Sequence, residues 1–317
     1  MSRRTPLPAS LESRAFTVRE ARASGLSRSR LRRNDLAAPF SGIRIPAGWL
    51  RGASDDESLD ARRVRHRANT LARVAAFALR MPSNGFACSV TAAIVHEMPL
   101  PVRLLDDERI HVGVTTERRA VDAAGVRGHR LDLGDVDLTV ASGVRVTTAE
   151  RTWCDLAQLL DLPDLVAAGD WLLQREAGSR ELLRETVARF RSRRGARSIH
   201  AALPLLCERS ESPRESRLRV HLRLAGLPDP EVNVDVYDRF GRFIGRGDLV
   251  YRRYRLLLEY EGEQHLTSVR QWERDIARGN HFGDEGWRII RVTRADDRDP
   301  RALIERVSTH IRRSTLS

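Results

Sequence analysis

The chain has 317 residues and a formal net charge of +12, and all 55 of its basic residues are arginine. Without lysine it can run no Schiff-base chemistry, no P-loop and no kinase-type phosphate contact. Carboxylates, hydroxyls, imidazoles and guanidinium groups remain. At ~100–200 residues per domain, the length implies two or three domains. An arginine-rich balance points to polyanions, nucleic acid ahead of a membrane surface, while a GC-rich coding bias accounts for arginine over lysine. Cys88, Cys154 and Cys207 are far apart and odd in number, which fits neither a disulfide framework nor a zinc site and is natural in a reducing cytoplasm. Met1–Ser10 lacks the apolar core of a signal peptide, and Leu71–Leu79 is too short to span a bilayer, so no membrane partner is expected.

Charge divides the chain into a basic head, an acidic middle and a basic connector (Arg189–Arg197). In the head, Val18–Ala23 reads as a short helix, Gly25 as its left-handed turn and Ser27 as the cap of a second helix. That second helix would carry Arg28, Arg30, Arg32 and Arg33 outward, with Leu26 and Leu31 inward. Ala21, Gly25 and Leu31 fall at helix-turn-helix spacing, and Phe40–Pro46 would form the following wing with Arg44 at its tip. These five arginines are the candidate DNA contacts, through phosphates or guanine edges; a solvated basic hairpin is the alternative. Gly52–Asp60 reads as a linker into a helix over Arg62–Leu79.

The head resembles the N-terminal winged helix of the AbiEi family, the antitoxins of type IV toxin–antitoxin systems. SVTAAIVHEMPLP (Ser89–Pro101), Ile110–Val114, GVRGH (Gly125–His129) and GVRVTTAERTWCDL (Gly143–Leu156) resemble that family's middle region. The resemblance implies an operator-binding autorepressor and a cognate nucleotidyltransferase toxin as partner. Thr147 and Glu150 also match a capping box. His96, His111 and His129 have no paired metal-ligand spacing and read as core or surface histidines.

The C-terminal third holds the densest signal. Pro213–Ala225 reads as an amphipathic helix, and Glu231–Tyr237, Phe243–Val250 and Leu256–Glu261 as strands, the last central because it begins LLL. A helix over Ser268–Phe282, a strand over Trp287–Thr293 and a helix over Arg301–Arg312 complete an αβββαβα order. Glu259 and Glu261, two apart in one strand, share a face. A hairpin would bring Asp248 beside them, with Glu215 as a fourth member. Clustered acids on an apolar strand repel one another unless a hard divalent cation, Mg²⁺ or Mn²⁺, offsets the cost. Gln264 and His265 follow within reach of a substrate or water.

An acid, then an acid-x-polar pair about ten residues later on the next strand, resembles the PD-(D/E)xK nuclease layout. GRGDL (Gly245–Leu249), LLLEYEGEQH (Leu256–His265), WERDIARGN (Trp272–Asn280) and GWRIIRVT (Gly286–Thr293) resemble, in order, the domain related to very-short-patch-repair endonucleases. The resemblance implies Asp248 and Glu259 as metal ligands, with Glu261 where many such nucleases carry lysine. It implies His265 as an acid/base group, and Asp275 and Arg278 as supporting or phosphate contacts. The expected architecture is a multidomain α+β and α/β chain. Its parts are a winged helix-turn-helix (10–52), a linker helix (53–78), an α+β middle domain (79–207) and a restriction-endonuclease-like domain (208–315). The expected function is Mg²⁺-dependent DNA hydrolysis, with a non-catalytic repressor or antitoxin as the alternative.

Overall fold

A computed structural model describes residues 6–54, 57–175, 179–260 and 269–316. It shows mixed helices and three sheets, divided into two units: Met1–Leu159 with Arg180–Ala196, and Leu160–Ser179 with Arg197–Ser317. The helix Leu162–Arg175, placed by the sequence in the middle region, therefore belongs to the C-terminal unit.

In the first unit, a small sheet has Ile43–Pro46 at its centre, antiparallel to Phe16–Thr17 and to Leu36–Ala37. Leu11, Phe16, Ala21, Leu26, Leu31 and Leu36 close its core. The helix Val18–Ala23 forms as expected, with the Thr17 hydroxyl accepting from the Glu20 backbone N–H, and Gly25 takes a φ of 84°. The second helix does not form: only a three-residue 3₁₀ turn, Arg30–Arg32, is present. Ser27 Oγ still accepts from Arg30 N at 3.1 Å, as a cap would. Asp35 then ends the turn by taking the Arg30 guanidinium with both oxygens, at 3.0 and 2.8 Å. The chain runs straight on into the Leu36–Ala37 strand.

The larger sheet of this unit runs Val126–Leu131, Ile110–Thr115, Phe86–Ala87, Val144–Thr147, Leu138–Ala141 in spatial order. Ile110–Thr115 is buried for five of its six residues, the near-continuous apolar run expected of an inner strand. Helices Leu59–Ala78, Ser89–His96 and Ala149–Leu156 accompany it. The cap of the last is Thr148, whose hydroxyl accepts from Arg151 N, one residue beyond the Thr147 expected from the sequence. Thr147 is instead buried, its hydroxyl 2.8 Å from that of Thr152.

His111 is buried, His96 and His129 are half-buried, and two of the three pair. His129 Nε2 lies 3.1 Å from His111 Nδ1 and the rings stack at 5.0 Å, while His96 Nε2 meets the Thr147 carbonyl at 2.7 Å. Burial, then His129 and Arg127, push His111 down to about 4. An unfolded histidine takes its proton near pH 6.5, so between pH 6.5 and 4 the unfolded chain binds a proton that the folded one refuses. Stability therefore falls on acidification through that window, by about 3 kcal/mol for this group. Urea midpoints at pH 7.5 and pH 4.5 should separate more in the wild type than in His111→Gln; equal separations would contradict the assignment.

In the second unit, a four-stranded sheet has the order Arg288–Val292, Leu256–Tyr260, Phe243–Tyr251, Glu231–Tyr237. The first pairing is parallel and the other two antiparallel. The parallel pair is bridged by the helix Val269–Asp284, as a crossover requires. Leu256, Leu257 and Leu258 are all buried, so the LLL run does mark a central strand. One face packs Leu249, Leu256 and Leu258 against Leu218, Leu222, Leu303 and Val307 of the helices Pro213–Leu224 and Arg301–Leu316. The other packs Val236, Val250 and Leu257 against Phe282. The αβββαβα order is present, with one added short helix, Arg294–Arg298. No helix of the described residues is long and apolar enough to cross a membrane.

Candidate active site

Strand register builds the site. Leu249 pairs with Leu258 in the antiparallel ladder, so one step further sets Asp248 opposite Glu259. Asp248 Oδ2 accepts from the Tyr260 backbone N–H at 2.8 Å, pinning the side chain across the two strands. From the Val269–Asp284 helix, Arg278 places Nη2 3.0 Å from Glu259 Oε2 and Nη1 3.0 Å from Oε1. The second contact is an ion pair without hydrogen-bond alignment, which leaves Oε1 buried and unsatisfied. The glycines of GRGD make room for this. A Cβ on Gly245 would stand 3.0 Å from Arg278 Cδ, and one on Gly247 would stand 2.0 Å from Leu257 Cδ1.

Burial raises both carboxyls above their ordinary values. The Tyr260 N–H and Arg278 pull Asp248 back down, and Arg278 does the same for Glu259, while Asp248 itself pushes Glu259 up. Glu215 is 7% exposed and also raised, first by burial. Its Oε2 accepts from Glu211 N at 2.9 Å and Asn233 Nδ2 at 2.7 Å. Asp248 acts on it through charge, yet Glu215 does not complete a three-ligand set with Asp248 and Glu259. Asp248 and Glu259 thus offer two neighbouring carboxylates, the oxygen donors that a hard divalent cation takes. Glu261, Gln264 and His265 lie outside the described residues, as does the side chain of Asp275.

Among the described residues, one group of three side chains has ligand atoms mutually within 4.8 Å, namely Asp238, His281 and Glu285. Its negative charge is already answered. Arg242 Nε donates to Asp238 at 2.8 Å, and Arg239 Nε lies 3.8 Å from Glu285. The Asp238 Oδ1 also accepts from the Phe240 and Arg242 backbone N–H groups, both at 2.8 Å. It is a turn-closing ion-pair network.

The N-terminal arginines divide. Arg28, Arg32 and Arg33 are exposed. Arg30 is 4% exposed and locked on Asp35, so it does not face DNA. Arg44 is no wing tip: its Nε donates to the Leu31 carbonyl and its Nη1 to the Ile43 carbonyl, both at 2.8 Å. Both guanidiniums are consumed in closing the small sheet's turns. Asp35→Ala would take the two-oxygen carboxylate contact away from the buried Arg30 guanidinium, and a loss of about 3 kcal/mol of unfolding free energy is expected. Denaturant titration checks this; a loss under 1 kcal/mol would contradict a structural role for the pair.

Sequence reasoning missed Asn233, the left-handed residue that fixes Glu215, although a lone amide in the alternating EVNVDVY was a visible irregularity. It also missed Asp170 and Arg219, which meet at 2.8 Å across 49 positions and left no local pattern.

The chain is similar to two proteins of Mycobacterium tuberculosis, one from strain H37Rv and one from strain CDC 1551. Each is 28% identical over 256 residues, covering 78% of this chain and 89% of its own, and each is described only as uncharacterized. No family model and no solved structure matches the chain.

Proposed function

We propose that this protein is a DNA-binding phosphodiesterase. Its C-terminal unit would be a restriction-endonuclease-like domain working with Mg²⁺ or Mn²⁺, and its N-terminal segment a DNA contact made through exposed arginines. The observation that carries the reading is the pairing of Asp248 and Glu259 on adjacent strands, both raised by burial, with the Arg278 guanidinium over them. When bound, the divalent cation would supply Lewis-acid activation of the phosphodiester and its attacking water. Asp248 and Glu259 would hold it, and the Tyr260 N–H keeps Asp248 aimed. Arg278 is positioned to neutralise phosphate charge, in a chain that has no lysine for that place. Exposed Arg28, Arg32 and Arg33 supply sequence-independent grip on the backbone.

Purified protein should nick supercoiled DNA with Mg²⁺ or Mn²⁺ and stop on adding EDTA. No nicking with either ion would overturn the nuclease reading.

A second reading is favoured by one feature. Arg278 already meets both oxygens of Glu259, so that carboxylate is compensated by the chain itself. On this reading the protein is a non-catalytic repressor or antitoxin of the AbiEi type, with a nucleotidyltransferase toxin as partner. Retardation of its own promoter DNA tests it. Arg28→Ala with Arg32→Ala and Arg33→Ala should weaken binding and lower the log–log salt slope by about 1 per lost phosphate contact. Unchanged binding would remove this segment from the interface.

A further inference from the structure

A polar cavity of about 590 Å³ is walled by Gln174, Glu208, Arg209, Glu211, Asn233 and Arg246, and Asn233 links it to Glu215. Asn233 sets its character. In the middle of a strand it has a φ of 49°, a left-handed conformation that disfavours side-chain-bearing residues and that asparagine tolerates best. The strand changes face there. Val232 packs into one core of the sheet and Val234 into the other, where regular alternation would put both on one side. The amide nitrogen donates to the Arg209 carbonyl and to Glu215 Oε2, both at 2.7 Å, so its orientation is fixed. A conformational cost at a buried polar residue, tied to a candidate catalytic carboxyl, is the mark of a built site.

The rim carries cations of two kinds. Arg209 is exposed and its guanidinium has no ion-pair partner among the described residues. Arg246, two residues before Asp248, pairs with Glu211, and both side chains are about half exposed. Such an exposed pair contributes little and exchanges readily. A phosphate offers the same planar guanidinium two acceptor oxygens and more charge.

We propose that this cavity is a subsite for one phosphate of a nucleic-acid strand, gripped by Arg209 and Arg246, with Glu211 as the built-in competitor for Arg246. The inference rests on the nuclease reading for the adjacency of that phosphate to the scissile one.

The test is fluorescence anisotropy of the full chain with a labelled single-stranded DNA of about 20 nucleotides, in EDTA, over a salt series. Arg209→Gln with Arg246→Gln should weaken binding about tenfold at low salt and reduce the salt slope by about 1.4, two contacts at about 0.7 each on a single strand. Glu211→Gln should bind about threefold tighter than wild type, because it frees Arg246 for the strand. An unchanged affinity and slope in the double variant, or no tightening in Glu211→Gln, overturns the subsite. Failure of the nuclease reading would show separately, as a wild type that binds this DNA yet never nicks supercoiled DNA with Mg²⁺ or Mn²⁺.

Discussion

Asp248→Asn should lower metal-dependent nicking by about 10³-fold, about 4 kcal/mol of transition-state stabilisation, while leaving the fold intact. The reasoning is local. The substitution keeps volume and an oxygen that can accept from Tyr260 N–H, so the strand pair stays pinned. What it removes is negative charge, the property that would hold a divalent cation between Asp248 and Glu259. Because burial raises Asp248 and Glu259, the pair by itself is poorly matched to two full charges, and a cation would restore that match. Initial nicking rates at saturating Mn²⁺, with thermal melting as the folding control, give the comparison. A variant that nicks at the wild-type rate would show that the cleavage comes from elsewhere.

The second large effect concerns stability. Arg219→Ala should cost about 3–5 kcal/mol, because it strands Asp170 as a lone buried charge. The Asp170 side chain is fully buried, with one oxygen accepting from Arg219 at 2.8 Å and the other from the Cys207 N–H at 2.6 Å. Burial raises its carboxyl, and Arg219 is the first group to pull it back. The pair ties the Leu162–Arg175 helix to the Pro213–Leu224 helix that carries Glu215. Melting of the C-terminal unit in calorimetry should fall by roughly 10 °C. A shift of under 3 °C would mean that Asp170 is solvated or neutral without its partner.

Much of the C-terminal unit was legible because its signals are local. EVNVDVY alternates, LLL marks a central strand, and Ser268–Phe282 differs by only a residue or two from the helix observed. Asp248 and Glu259 can be paired from the hairpin spacing, whereas Arg278 follows only from the nuclease resemblance. The N-terminal helix-turn-helix was misread where a non-local partner decides. The sequence shows Arg30 and Arg44 as basic residues on a surface, and only the fold shows Asp35 and the Leu31 and Ile43 carbonyls claiming them. Asn233 belongs to the same class: its left-handed backbone is set by Glu215 and Arg209, 18 and 24 positions away. The stacking of His111 on His129 depends on the parallel pairing of two strands that no local pattern reveals.

On the proposed function, Asp248 and Glu259 would hold a divalent cation. Calorimetric titration of Mn²⁺ into the full chain, wild type beside Asp248→Asn with Glu259→Gln, measures it most directly. A saturable site is expected in the wild type and should be lost in the double variant. No Mn²⁺ uptake by the wild type, or equal uptake by both, would contradict it.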